Sequence, residues 1–242
     1  MGVSISHQPT CRIISFLLSD KDMAEAVVFD CDGVLADNGS SWLAIHDYFG
    51  TENRETLELF LDGKVSEEEF VEADIRKWKS VQPEINKDDI IRCYSGIKLI
   101  PGAREVVEEL KKRGVFVAIV SSGVDIFVGT IANMLKVDDW AANGFEWDED
   151  NNLIGGIPTR VFSHNKGIMV EKLIQIHDFD PKNVFSVGDS STDLSMKIGN
   201  SKFIGFNPIR ERAIQEFEKA DVPIIYEKDL REIWPIIFGE KF

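Results

Sequence analysis

Val27-Val28-Phe29-Asp30-Cys31-Asp32-Gly33-Val34-Leu35 is the stretch on which the reading of this chain turns. A short apolar, β-branched run that breaks off into Asp-x-Asp-Gly has the form of a strand buried on both faces and ending in a tight turn. Strands buried on both faces belong to parallel sheets, and in parallel α/β sheets ligands bind beyond the carboxyl ends of the strands. Asp30 and Asp32 stand at such an end. A solvated turn would use the same residue types, so the reading depends on whether other strands deliver chemistry to the same place.

Apolar runs of the same kind occur at Ala24–Phe29, Val115–Val120, Val184–Val187, Lys202–Phe206 and Val222–Tyr226, separated by helical patterns. Pro101 opens a helix with Ala103, Val106, Val107 and Leu110 on one face, basic residues in its last turn and Gly114 as its stop. A second helix is predicted through Ile126, Ile131, Met134 and Leu135, and a third through Ile168, Met169, Leu173 and Ile176, both covering the sheet. The fold class is therefore α/β, a doubly wound, mainly parallel, Rossmann-like sheet. Residues 38–100 interrupt it with helix formers, charge, a capping box at Ser66 to Glu69 and Trp42, Phe49, Phe60 and Trp78 at helical spacing. They form a small α-helical insertion, leaving 1–37 and 101–242 as the core domain. Residues 145–161 read as a β-hairpin on the sheet edge.

Two more strand ends carry polar groups. Ile119-Val120 runs into Ser121-Ser122-Gly123, where a hydroxyl and free backbone amides at a helix entry suit phosphate oxygens, although small polar residues also cap helices. Val187 runs into Gly188-Asp189-Ser190-Ser191-Thr192-Asp193. Magnesium takes a few carboxylates along with phosphate and water, so Asp30 with Asp189 is a suitable pair, against a helix-capping role for Asp189 or Asp193. Lys166 stands at a predicted helix start, where the helix dipole disfavours a cation unless an anion is close. Each signal is weak alone; their coincidence at one end of one sheet is informative.

Composition narrows the partners. The 242 residues are 43% hydrophobic and carry 42 acidic against 27 basic side chains, for a net charge of -15. Such a chain repels nucleic acid and anionic membranes, and neither is an expected partner. It repels a phosphorylated small molecule as well, so a phosphate site here requires concentrated local positive charge. Cys11, Cys31 and Cys93 are odd in number and lack C-x-x-C spacing, which fits a reducing cytoplasm better than a disulfide framework or a zinc site. Residues 11–18 are apolar but lack a cleavage site, and Met23 stands just before the first strand, so residues 1–22 read as a non-secretory extension or the product of an early-assigned start codon. No run approaches the ~20 apolar residues of a membrane-spanning helix.

With Asp30-x-Asp32, Ser121, Lys166, and Asp189 with Asp193 in that order, the chain resembles the haloacid dehalogenase-like hydrolase superfamily, and within it the phosphoserine phosphatase branch, over about residues 24 to 235. The resemblance implies that Asp30 attacks the phosphorus of a small phosphorylated metabolite to form an aspartyl-phosphate, and that Asp32 serves as general acid and then base. It implies Mg2+ held by the Asp30 side chain, the Asp32 carbonyl and Asp189. Ser121, Ser122, Gly123 and Lys166 would hold the phosphoryl oxygens, with Asp193 orienting Lys166 or a metal-bound water. Residues 38–100 occupy the slot of the family's cap. The same intermediate would serve a phosphotransferase or mutase; a non-catalytic phospho-accepting module is a third reading, opposed by Asp32, which shortens the life of an aspartyl-phosphate.

The chain departs from phosphoserine phosphatases where they grip serine. Gly39 stands for the glutamate that holds the amino group, and Asp74, with Arg76 two residues on, for the arginine that holds the carboxylate. Thr192 replaces an asparagine. The aromatic residues of the insertion either line an apolar pocket or form its own core, and the oligomeric state is not specified by any of these features.

Overall fold

The computed structural model describes residues 24–242, so the expectations for residues 1–22 lie outside it. In chain order the elements are β1 (Ala26–Phe29), α1 (Ser41–Phe49), α2 (Arg54–Leu61), α3 (Glu67–Val81), α4 (Lys87–Cys93), α5 (Ala103–Lys112), β2 (Phe116–Val124), α6 (Asp125–Leu135), β3 (Asp139–Asn143), β4 (Phe145–Trp147), β5 (Leu153–Gly156), α7 (Gly167–His177), β6 (Val184–Gly188), β7 (Lys202–Phe206), α8 (Glu211–Lys219), β8 (Ile224–Ile225) and α9 (Trp234–Phe238). The main sheet has six parallel strands in the order β3-β2-β1-β6-β7-β8. β1 is central, with β2 on one side and β6 on the other, so the crossovers diverge at its carboxyl end and open the crevice in which α/β sheets bind ligands.

Period-two alternation sorts the strand residues into two cores. Val27, Phe29, Val117 and Ile119 face one layer with α5, α6 and α9, while Ala26, Val28, Ala118 and Val120 face the other with α7 and α8. On α5 the predicted face, Ala103, Val106, Val107 and Leu110, is fully buried. At about 1.5–3 kcal/mol for each large aliphatic side chain removed from water, that face accounts for the helix better than its propensity does. α5 begins after Gly102 at φ 80, two residues beyond Pro101, and ends at Lys112, two residues before Gly114, whose φ of 76 suits glycine.

Several expectations need correction. β3 has no apolar run because it is an edge strand, and its exposed Asp139 and Trp140 leave no two-sided burial to read. Met134 on α6 and Ile168 and Ile176 on α7 point outward, Ile176 at 73% exposure; α7 packs instead through Val170, Leu173 and Ile174. The hairpin forms, but as a sheet of its own, β4 antiparallel to β5. It follows edge strand β3 and turns away from the main sheet. Phe145 and Leu153 join Ile45, Phe49, Val71, Ile75 and Trp78 in a core shared with the helical insertion.

The insertion, α1 to α4, packs around this core. The Ser66–Glu69 capping box is present, with Ser66 N donating to Glu69 Oε2 at 2.8 Å and Glu69 N to Ser66 Oγ at 3.2 Å. Trp78 stacks on Trp42 and meets Phe145 edge-on, and Phe60 stacks on Phe70, so these rings form the insertion's own interior. Buried Asp74 pairs with His46 Nε2 at 3.0 Å and accepts from Asn53 Nδ2 at 2.5 Å, tying α3 to α1 and to the turn after it. Arg76 is exposed. Asp74 is therefore committed inside the insertion, and no guanidinium replaces the expected arginine at this position.

Candidate active site

Asp30 leaves β1 with its amide donated to the carbonyl of Val187 at 2.9 Å, which fixes it beside the end of β6. Its carboxylate is buried and meets Lys166 Nζ at 2.9 Å. The same ammonium lies 2.6 Å from Asp193 Oδ1. Lys166, 3% exposed at the start of α7, has its backbone amide held by Ser195 Oγ at 3.0 Å. Asp193 uses its other oxygen to accept from the amide of Ser190 at 2.9 Å and its hydroxyl at 2.8 Å. Two elements thus lock one cation between two carboxylates, which resolves why a lysine tolerates a helix start.

Asp189 completes the acidic group. Oxygens of Asp30, Asp189 and Asp193 lie within 4.8 Å of one another. Gly33, at φ 79, lies against this carboxylate, since a Cβ there would sit 2.6 Å from Asp189 Oδ2. Burial pushes the Asp30 carboxyl up to about 7; Lys166 opposes the shift, and Asp193 and Asp32 add to it. Burial, together with the charges of Asp193 and Asp30, also raises Asp189 well above the carboxylate range. Burial alone would lower Lys166, but Asp193 and Asp30 outweigh it and hold it above the usual lysine range. With these carboxylates ionised, one ammonium leaves an excess of negative charge, and an all-oxygen cluster of this kind suits a hard divalent cation.

Asp32 faces the neighbouring quadrant. Asn38 Nδ2 donates to its Oδ1 at 2.6 Å and Ser41 Oγ to its Oδ2 at 2.7 Å. Burial raises its pKa, while the backbone amide of Ser41 and these two side-chain bonds pull it back. Ser121 is buried, with Oγ accepting from Gly123 N at 3.1 Å. β2 continues through Val124, so the helix begins at Asp125, and the Gly123 amide, expected to be free at a helix entry, is taken by Ser121. The Ser122 carbonyl accepts from Trp42 Nε1 at 3.0 Å. A Cβ on Gly123 would lie 2.6 Å from Ser41 Oγ, 2.7 Å from Asp32 Oδ2 and 3.2 Å from Ser121 Oγ, so these side chains crowd one glycine.

Asp30, Lys166, Asp189 and Asp193 are thus brought together, and Asp32 and Ser121 both border Gly123. The supporting groups Asn38, Ser41 and Ser195 were not legible, because single hydroxyls and amides outside a strand end carry no spacing signal. A further tie links the insertion to the lysine loop. Glu67, Glu68 and Glu72 on α3 accept backbone amides from Ser163, Thr159 and Gly156, the segment that leads to Lys166.

Comparisons with known proteins place the chain in a family. The family described as haloacid dehalogenase-like hydrolase matches residues 27–196. A phosphoserine phosphatase of Methanocaldococcus jannaschii is 31% identical over 211 residues, 86% of this chain and 94% of that protein. A phospho-aspartyl intermediate analogue structure of phosphoserine phosphatase superposes with TM-score 0.71 at 30% identity, covering 89% of this chain and 100% of that one. A substrate-bound phosphoserine phosphatase structure gives TM-score 0.71 at 28% identity, over 90% of this chain and 100% of that one. No helix among the described residues is long and apolar enough to cross a membrane.

Proposed function

The chain belongs to the haloacid dehalogenase-like hydrolase family, in its phosphoserine phosphatase-like branch, and from that premise we propose that it is a magnesium-dependent phosphatase of small phosphomonoesters working through an aspartyl-phosphate on Asp30. The observation that carries this reading is the position of Lys166 Nζ, 2.9 Å from Asp30 and 2.6 Å from Asp193. A buried nucleophile held by a buried ammonium can receive a dianionic phosphoryl group without facing unscreened repulsion.

In this reading Asp30 Oδ attacks phosphorus while Asp32 delivers a proton to the departing oxygen; water then attacks the aspartyl-phosphate and its proton passes to Asp32. Ser121, Lys166 and the backbone around Ser122 and Gly123 hold the phosphoryl oxygens, the Gly123 amide turning from Ser121 to phosphate. Asp193 keeps Lys166 in place. Asp30, the carbonyl of Asp32 and Asp189 are the groups that would hold Mg2+, which when bound offsets charge on the phosphoryl oxygens. Residues 38–100 serve as a cap over the leaving group, and residues 1–37 with 101–242 as the catalytic domain.

The insertion lacks the serine-gripping glutamate and arginine, since Gly39 stands at the one position and Asp74, spent within the insertion, at the other. A phosphate-release screen over phosphorylated sugars, amino acids and nucleotides, with Mg2+ and with EDTA, tests the reading. Release that requires Mg2+ and disappears in Asp30→Asn is expected; turnover by that variant at the parent rate contradicts it.

A further inference from the structure

We propose that Ser41 is a positioning residue for the acid and base Asp32, making proton delivery to the leaving group depend on the first turn of the helical insertion. This deepens the phosphatase reading above and rests on its assignment of Asp32.

Ser41 is a fully buried side chain on the first turn of α1. Serine at a helix start ordinarily caps the helix, but that task belongs here to Ser40, whose Oγ accepts from the amide of Leu43. The Ser41 hydroxyl is left free of its own helix. It accepts from the Val124 amide, at the end of β2, at 3.0 Å and donates to Asp32 Oδ2 at 2.7 Å. The relay from amide to hydroxyl to carboxyl is polarised in one direction, each bond strengthening the next. Asn38 Nδ2 holds the other oxygen at 2.6 Å, so the carboxyl is restrained at both ends.

The restrained carboxyl lies beside the phosphate-binding hydroxyl. Ser41 Oγ, Asp32 Oδ2 and Ser121 Oγ all border the bare face of Gly123, at 2.6, 2.7 and 3.2 Å from the position of a Cβ. When the bond from Asp30 oxygen to phosphorus forms and the bond from phosphorus to the leaving oxygen breaks, the Asp32 proton moves to that oxygen. The products are the alcohol, the aspartyl-phosphate and an Asp32 carboxylate. Ser41 and Asn38 then donate to a full negative charge, which makes their bonds stronger after transfer than before it. A carboxyl free to rotate loses this alignment, and general acid catalysis depends on alignment first.

Leaving groups separate this role from a structural one. An alkoxide needs its proton as it departs, whereas p-nitrophenolate is stable enough to leave without one. The test measures kcat/KM, which reports transfer to Asp30, for p-nitrophenyl phosphate and for the alkyl phosphomonoester turned over fastest in the screen. Ser41→Ala is expected to lower the alkyl value by roughly 30-fold and the p-nitrophenyl value by no more than about 3-fold, a partial loss of the ~10²–10⁴-fold that general acid catalysis contributes. Trp42→Phe removes the neighbouring bond from the same helix turn to the Ser122 carbonyl and should affect both substrates equally. Equal losses on both substrates in Ser41→Ala, or no loss on either, overturn the proposal while leaving the phosphatase reading intact. Should Ser41→Ala not fold, Asn38→Ala, at the half-buried partner of Oδ1, decides by the same ratio. An unaltered protein that releases no phosphate from any ester is the separate outcome that removes the phosphatase reading and this inference with it.

Discussion

Lys166 Nζ lies 2.9 Å from Asp30 Oδ1, and both side chains are almost wholly excluded from water. An ion pair so placed is costly to assemble but far more costly to break on one side, since the remaining charge stays buried. Lys166→Ala should therefore lower the stability of the metal-free protein by about 3–5 kcal/mol, the usual loss when one partner of a buried pair is removed. Chemical denaturation in EDTA measures it, and a loss under about 1 kcal/mol, the scale of exposed pairs, would show the lysine to be unburied in solution.

Removing charge from the other side has the opposite sign, because Lys166 keeps the Asp193 carboxylate at 2.6 Å. Burial is the largest influence on Asp30 and opposes its ionised form. Asp30→Asn should melt in EDTA at or above the temperature of the parent while losing turnover altogether. A folded but inactive protein is the expected result, read by circular dichroism and phosphate release.

The raised Asp30 pKa makes cation binding depend on pH. Its value stands at about 7 against an ordinary 3.8, so in metal-free protein the folded state binds a proton that the unfolded state has lost between those values. This contribution to stability is full below the lower value and is lost as pH rises through the upper one. A cation needs the carboxylates of Asp30 and Asp189, both raised, so the rise in Tm on adding Mg2+ should grow as pH rises through about 7. Paired melting scans from pH 5 to 9 measure it, and Asp189→Asn should flatten the whole response. A Mg2+ effect that shrinks as pH rises would contradict the cluster's role.

Gly39 is exposed and a Cβ there would meet nothing within 4 Å. Gly39→Glu should fold with a stability change within about 0.5 kcal/mol, as surface substitutions do. Its expected effect is a relative gain on amino-bearing phosphomonoesters over esters without an amine; an identical substrate profile would remove that role from position 39.

What was legible in the chain follows from period and adjacency. Val27 to Phe29, Val117 to Val120 and Val184 to Val187 read as strands because burial on both faces leaves them almost wholly apolar, with Ser186 the one polar residue, and residues directly after such strands must lie at one edge of the sheet. That reasoning reached Asp30, Asp32, Ser121 and Asp189 without coordinates. Edge strand β3 escaped it because solvent on one side breaks the pattern, and Ile176 was misassigned because an apolar residue at helical spacing can still face water.

The sequence by itself determined the parallel sheet and the polar groups at the ends of its strands, since strand burial and strand ends are local properties of the chain. Only the tertiary structure decided that Asp193 and Asp30 share one ammonium, that Asp74 is consumed by His46 and Asn53, and that Ser41 rather than Ser40 reaches Asp32. Those outcomes depend on how separate elements pack and on which hydrogen-bond partner burial leaves available, and no spacing along the chain encodes either.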